Sequence, residues 1–355
     1  AYQAVAKYRS PPVTKANPAK ASTIKSDDLK QALQSCLREH FNAKCSIIGL
    51  QRKISRYSSS FVIEELDVDL DNGERQVLVF KNPGDPVLLE QAQMTKPGFM
   101  SNPTREIGVY RRLLDTHRMG TAECLGSVCN MQKKQFWLFL EKVNGLELYQ
   151  FGDFDIWLKV AHWLARFQIC LGVPSRKFTS GIPLVKYDRD FYLAWPKRVN
   201  AFLHGRSQSV QRIKSWTNDH YEVVVDRLME LPVTLLHGDF NASNIIVQQT
   251  AQSLRICPVD WEMAALGPGM IDLAALISGN WTATQRNALA GAYLQEMQKN
   301  GQYRDGEQRF FEDLNYCQLH LALQWLGWSR NWLPPPEHKQ DWLQRAIDLT
   351  EQVRL

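Results

Sequence analysis

Leu235-Leu236-His237-Gly238-Asp239-Phe240-Asn241-Ala242-Ser243-Asn244-Ile245-Ile246-Val247 is a short polar loop set between two apolar strands. It carries an Asp and an Asn five positions apart. Thirteen residues separate Asn244 from Pro258-Val259-Asp260-Trp261-Glu262, where an acid again ends an apolar strand. Taken alone, His237-Gly238-Asp239 reads as a turn with an Asx cap, and Asp260 as a strand-end helix cap. Taken together they match a chemistry. Phosphoryl transfer needs a carboxylate to orient the acceptor proton, and oxygen ligands to hold Mg²⁺ on the phosphates. Asp239, Asn244 and Asp260 supply those groups from two adjacent strand ends.

Upstream of this stretch the chain changes texture twice. Residues 1–25 are rich in Pro, Ala, Ser and Lys and read as a flexible arm. Ser26-Asp27-Asp28 then reads as a helix cap, followed by Leu29, Leu33, Cys36 and Leu37 at helical spacing. From Ser46 to about Leu140 strands dominate: Ser46 to Leu50, Phe61 to Val68, Gln76 to Phe80 and Phe136 to Leu140. Asp71-Asn72-Gly73-Glu74 is a hairpin turn between the second and third. Thr104 to Leu114 reads as a helix with Ile107, Tyr110, Leu113 and Leu114 on one face.

After Gly145 the pattern is helical, with Phe154 to Leu171, Arg212 to Met229 and Ile271 to Leu355 flanking the β insert from Val233 to Val259. The outline is α+β: a small sheet-rich lobe, then a larger helical one. The corresponding boundaries are 1–25 for the arm, 26–143 for the first lobe and 144–355 for the second.

Composition narrows the class. The 355 residues are 44% apolar and 22% charged, ordinary values for a globular chain. A net charge of +5 without a dense basic block disfavours nucleic acid as the main partner. Seven scattered cysteines suit free thiols in a reducing compartment, and neither they nor the eight histidines are spaced as a zinc site. No run approaches a membrane span, and the basic start lacks the apolar segment of a secretory signal. The expectation is a cytoplasmic protein with neither membrane nor nucleic acid as partner. The sequence gives no reading of oligomeric state.

The pattern His-Gly-Asp-x4-Asn followed by Asp-Trp-Glu resembles the aminoglycoside phosphotransferase and choline kinase superfamily, small-molecule kinases with a two-lobed, protein-kinase-like fold. The resemblance implies ATP and Mg²⁺ as cofactors, Asp239 as the catalytic base, and Asn244 and Asp260 as metal ligands. Asp272, in Ile271-Asp272-Leu273-Ala274, would brace the loop. Lys81 ends an apolar strand as the phosphate-binding lysine of kinases does, and Glu106 is its natural ion-pair partner, with Glu90 the weaker alternative. A nucleotide-covering loop falls at Arg56 to Phe61, where Ser58, Ser59 and Ser60 stand in place of glycines. Glu141-Lys142-Val143 corresponds to the hinge, where Glu141 and Val143 would offer backbone groups to the adenine edge. Two features depart from the family: Gly267-Pro268-Gly269 replaces Gly-Asp-Pro, and Arg166-Phe167 stands where a Leu-His pair is common.

The acceptor is a small molecule on this reading, bound by the helical lobe. Trp325, Trp328 and Trp332 recur at helical spacing, and with Trp281 and Trp342 they read first as core. An aromatic wall for an apolar, cationic or sugar-like acceptor is the alternative. Glu262, Glu312 and Asp313 are the candidate acids beside it. Two other classes stay open. A protein kinase is disfavoured by the absent Gly-rich and Asp-Phe-Gly signatures, and a catalytically silent nucleotide-binding scaffold by the presence of base, metal ligands and lysine.

Overall fold

The alternating residues after Ser46 form a five-stranded antiparallel sheet. The computed structural model describes residues 24–42, 44–55, 61–84, 96–117, 119–172, 179–205, 207–329 and 340–354. Helix α1 (Ser26–Phe41) leads into the strands β1 (Ile47–Ile54), β2 (Ile63–Leu70), β3 (Arg75–Lys81), β4 (Cys124–Asn130) and β5 (Gln135–Glu141), ordered β1-β2-β3-β5-β4. Along β2, buried Leu66, Val68 and Leu70 alternate with more open Glu65, Asp67 and Asp69, so one face meets the core. The β2–β3 turn is the expected one. Gly73 has φ of 86°, its N–H bonds to Leu70 O at 3.0 Å, and Asn72 Oδ1 accepts from Glu74 N at 3.0 Å.

Helix α1 lays Leu29, Leu33, Cys36 and Leu37 on this sheet, against Leu66, Val68, Leu78, Phe80 and Phe139. Its cap differs from the expectation. The extended residue before the helix is Lys25, no side chain caps it, and Ser26 to Asp28 already lie inside the first turn. There Asp27 and Asp28 complement the helix dipole, as Arg38 and His40 do in the last turn.

Helix α2 (Arg105–Val109) continues as a π turn at Tyr110–Leu114. The later elements are β6 (Leu146–Glu147), α3 (Phe154–Leu171), β7 (Val185–Lys186), α4 (Arg189–Phe202) and α5 (Gln208–Glu230). Then come β8 (Val233–Leu236), β9 (Ile245–Gln249), β10 (Leu254–Pro258), β11 (Ala265–Pro268), α6 (Met270–Leu276), α7 (Ala283–Lys299), α8 (Gly306–Leu326) and α9 (Trp342–Thr350). Strand β4 and helix α4 lie outside the sequence expectations. The first is built of small and polar residues, and Pro196 inside the second reads as a breaker.

The β insert divides between two small sheets, β10-β9-β6 and β7-β11-β8. A cluster with Tyr110, Leu138, Phe167, Leu235, Cys257 and Trp261 joins the five-stranded sheet to them. No helix among the described residues is long and apolar enough to cross a membrane.

The tryptophan stripe is shorter than its spacing implies. Helix α8 ends at Leu326, so Trp328 lies beyond it, and Trp332 is outside the described residues. Trp325 and Trp328 pack against the helical core, Trp328 stacking on Trp195 at 6.0 Å. Asp313 is buried, accepting from Arg227 Nε and Nη2 at 2.8 Å and from Tyr303 OH at 3.1 Å, while Glu312 pairs with Arg354 at 3.0 Å. Asp313 ties α8 to α5, and both acids are already paired.

Candidate active site

Strand pairing brings the two motifs side by side. Strand β8 runs antiparallel to β11, and β9 to β10, with Ile245 opposite Pro258. Val259 N then donates to Asn244 O at 2.8 Å, so the 237–244 loop and the 259–264 turn lie against each other. Gly238 is required at the crossing. Its φ is 80°, and a Cβ there would sit 2.2 Å from Met263 O. Asp272, buried in the first turn of α6, accepts from His237 N at 2.7 Å and Gly238 N at 3.0 Å. It ties down the loop from below. His237 Nε2 meets Val259 O at 2.9 Å and its Nδ1 meets Asp239 N at 3.3 Å, which one neutral tautomer satisfies. Burial lowers this imidazole to about 4, so it stays uncharged.

Asp239 is held from both sides. Asn244 Nδ2 donates to its Oδ2 at 2.8 Å and to its backbone O at 2.9 Å, and Asn241 Nδ2 donates to its Oδ1. Burial, then the negative charge of Asp260, push this carboxyl up to about 7. Asp260 itself adopts a left-handed conformation, φ 68° and ψ 60°, which a non-glycine residue keeps only when its surroundings impose it.

The surroundings come from the first lobe. Lys81 Nζ donates to Glu106 Oε1 at 2.7 Å and to Asp260 Oδ1 at 2.9 Å, a link between residues 179 apart in sequence. Burial alone would lower the Lys81 ammonium, but Asp260 and Glu106 hold it above its ordinary value. Burial alone would raise Asp260, but Lys81 holds it below. Burial pushes Glu106 up to about 7 against the pull of Lys81. Helix α2 also grips both ends of the Asp-Trp-Glu turn. Glu106 Oε1 accepts from Trp261 N at 3.2 Å, and the neighbouring Arg105 donates to Glu262 O at 2.7 Å. The same guanidinium reaches Met100 O at 2.9 Å and Pro183 O at 2.7 Å. Lys96 Nζ pairs with the Glu262 carboxylate at 2.6 Å, so Glu262 is committed on this side.

The sequence reading missed Arg105, Lys96 and Asn241. Asn241 sits inside the motif and could have been noticed there. Arg105 bonds only to backbone carbonyls, which no residue pattern announces. Ser58, Ser59, Ser60 and Glu90 lie outside the described residues. At the hinge, the Glu141 side chain is taken by Arg255, at 2.7 and 2.8 Å, and Arg255 also bonds to Gly120 O and Thr121 O. Val143 is 8% exposed, and neither its N–H nor its C=O has a partner among the described residues. A buried peptide group in that state suits a ligand edge. The family departure at Phe167 is a packing choice, since that ring lies 5.3 Å from Trp261.

The site fits a hard divalent cation. The oxygens that could face one, of the Asp260 carboxylate and the Asn244 amide, are hard, and Asn244 spends its Nδ2 on Asp239, which leaves Oδ1 for another partner. No cluster of three metal-ligating His, Cys, Asp or Glu residues occurs among the described residues.

Comparison with known proteins agrees with the geometry. The model of the phosphotransferase enzyme family matches residues 112–308. No curated protein matches the chain. Among solved structures, a microcompartment-associated aminopropanol kinase aligns with a TM-score of 0.57 and 13% identity, covering 92% of this chain and 95% of that one. An amicoumacin kinase in complex with AMP-PNP and Ca²⁺ aligns at 0.55 and 10%, covering 93% of each chain. The Plasmodium vivax ethanolamine kinase aligns at 0.54 and 12%, covering 92% and 89%. At such identities the likeness is one of fold, the two-lobed, protein-kinase-like one. With more than half of its length matched by the family model, the chain belongs to the phosphotransferase enzyme family.

Proposed function

We propose that the chain is a small-molecule kinase in which Asp239 takes the proton of the acceptor hydroxyl as the γ-phosphoryl group of ATP is transferred. The observation that carries the proposal is the bonding of Lys81 to both Glu106 and Asp260, beside the Asp239–Asn244 pair. A carboxyl pushed up to about 7 is matched to proton transfer near neutral pH. Lys81, held by Glu106, binds the phosphates, and its ammonium stays charged in the closed site. Asn244 and Asp260 hold Mg²⁺, which when bound neutralises charge on the phosphate oxygens. Asp272 and Gly238 keep the loop rigid, so that Asp239 is already oriented when the acceptor arrives. Glu141 to Val143 receive the adenine edge through backbone groups, and Ser58 and Ser59 belong to the loop over the phosphates. Residues 26–143 act as the nucleotide-binding lobe and 144–355 as the catalytic and acceptor-binding lobe, with 1–25 as an arm. Seven free cysteines agree with a cytoplasmic setting.

Asp239→Asn tests the assignment. It is expected to keep Mg·ATP binding, measured by calorimetry, and to lose about 10²–10⁴-fold in turnover, the scale of a general base. Normal turnover in this variant would remove Asp239 from the role.

A further inference from the structure

On the far side of the 237–244 loop lies a cavity of about 160 Å³, lined by Asn241 and Ala242 of that loop, by the segment from Ala275 to Trp281, and by Tyr149, Trp157, Gln340 and Trp342. Trp157 and Trp281 meet nearly at right angles, 78° with centroids 4.7 Å apart, and form an aromatic corner. Trp157 is fixed by its Nε1 bond to Phe151 O at 3.1 Å. The strand of backbone that carries Trp281 is pinned by Arg286, which donates to Gly279 O at 3.4 Å and Trp281 O at 3.3 Å. Gln340 Oε1 accepts from Gly279 N at 2.7 Å, leaving its amide hydrogens unspent among the described residues. Asn280 is exposed and makes no side-chain hydrogen bond among them. One lining residue, Asn241, is bonded directly to the Asp239 carboxylate, so the cavity abuts the reacting group.

We infer that this cavity takes the acceptor, and that the acceptor is a neutral hydroxylated molecule, a single sugar or polyol unit, and not an amine. The inference rests on the kinase reading above. Its wall among the described residues contains no carboxylate, ammonium, guanidinium or imidazole. An ammonium entering such a wall gains only the attraction of the aromatic faces. It forfeits hydration that no carboxylate on the wall returns. The balance is against a cation.

A neutral ring carries no such charge. Its C–H face buries against Trp157 and Trp281, and the side chains of Asn241, Ser278, Asn280 and Gln340 replace water at its hydroxyls. The volume is below the roughly 300–1,000 Å³ of drug-sized sites, which suits one small unit. In the transfer, the acceptor oxygen bonds to the γ-phosphorus as the bond from that phosphorus to the bridging oxygen breaks. The hydroxyl proton passes to Asp239, and the electron pair of the broken bond leaves with ADP.

The test uses the full chain and ADP release, with ribose, glucose, glycerol and adenosine set against choline, ethanolamine and kanamycin. At least one neutral compound is expected to exceed the water background by tenfold or more, and the cations are not. Trp281→Ala should then raise acceptor KM at least tenfold while the calorimetric Kd for Mg·ATP stays within twofold. Asn280→Asp, at an exposed position that will not disturb folding, should shift preference toward the amines. Turnover of an amine in preference to every neutral compound, an unchanged KM in Trp281→Ala, or no turnover of any neutral compound overturns the inference while Mg·ATP binding keeps the kinase reading standing. Absence of Mg·ATP binding overturns the kinase reading itself, and this inference with it.

Discussion

On the side of the 237–244 loop that faces the five-stranded sheet, Lys81 bonds to Glu106 and Asp260, and Lys96 to Glu262, at 2.6 to 2.9 Å. On the other side, Tyr149, Trp157, Trp281 and Trp342 meet amides and a hydroxyl, with no charge among the described residues. On the proposed function, the contrast follows from what each side would hold. A triphosphate with a divalent ion needs fixed charge, and fixed charge in a buried place survives only when paired. The aromatic side can bind by area and geometry alone, which leaves its specificity in the hands of a few polar side chains.

Five substitutions would break or sharpen this contrast. The largest effect is expected from Lys81→Met, which strands Glu106 and Asp260 without their cation. Loss of one partner from such a buried arrangement costs about 3–5 kcal/mol, readable by urea unfolding, whereas Asn280→Ala on the aromatic side should stay within about 0.5 kcal/mol. Equal losses in the two variants would erase the distinction.

His320→Gln comes next and separates paired from neutral burial. His320 lies fully buried in the helical core, its Nδ1 2.8 Å from Tyr221 OH, and burial lowers it from 6.5 to about 3. A depressed histidine contributes stability that is present above the unfolded value and lost as pH falls toward the folded one. Wild type should therefore lose ground against the variant between pH 6.5 and about 3, by at most about 1.4 kcal/mol per pH unit. A parallel pH course in the two proteins would mean that the imidazole is not held neutral. Gly238→Ala is expected to cost about 1–2 kcal/mol for its left-handed backbone alone, and more for the contact with Met263 O, seen as a lowered thermal midpoint. The smallest effect is that of Arg255→Ala at the hinge. Its partly exposed, bidentate pair with Glu141 should contribute about 0.5–1 kcal/mol and shrink in high salt.

Much of this arrangement was legible because it is local. Asp239, Asn244 and Asp260 fall within a short span of two paired strands, and Lys81 ends a strand whose turn and alternation are plain. Glu106 was reachable through the helix that follows. The aromatic side was not legible in the same way. Trp157, Trp281 and Trp342 come from α3, from the loop after α6 and from the start of α9, and no period in the sequence relates them. The spacing that did catch the eye, Trp325 and Trp328, packs the helical core at the end of α8. Arg105 was hidden for another reason. It reads carbonyl groups 78 and 157 residues away, and carbonyls look the same in every sequence.

That arginine and its neighbour set a rule for how the chain can change length. Arg105 and Glu106 are consecutive residues of one helix, and each must arrive at its own end of the turn around Trp261. A residue added ahead of Thr104 can be absorbed by the connecting chain. One inserted between Arg105 and Glu106 would turn the two side chains by about a further 100° relative to each other, so that the guanidinium and the carboxylate could no longer both reach their own ends of the turn. Tolerance of insertions should therefore end abruptly at this helix, a boundary that a scan of single-residue insertions would find as a cliff and not a slope.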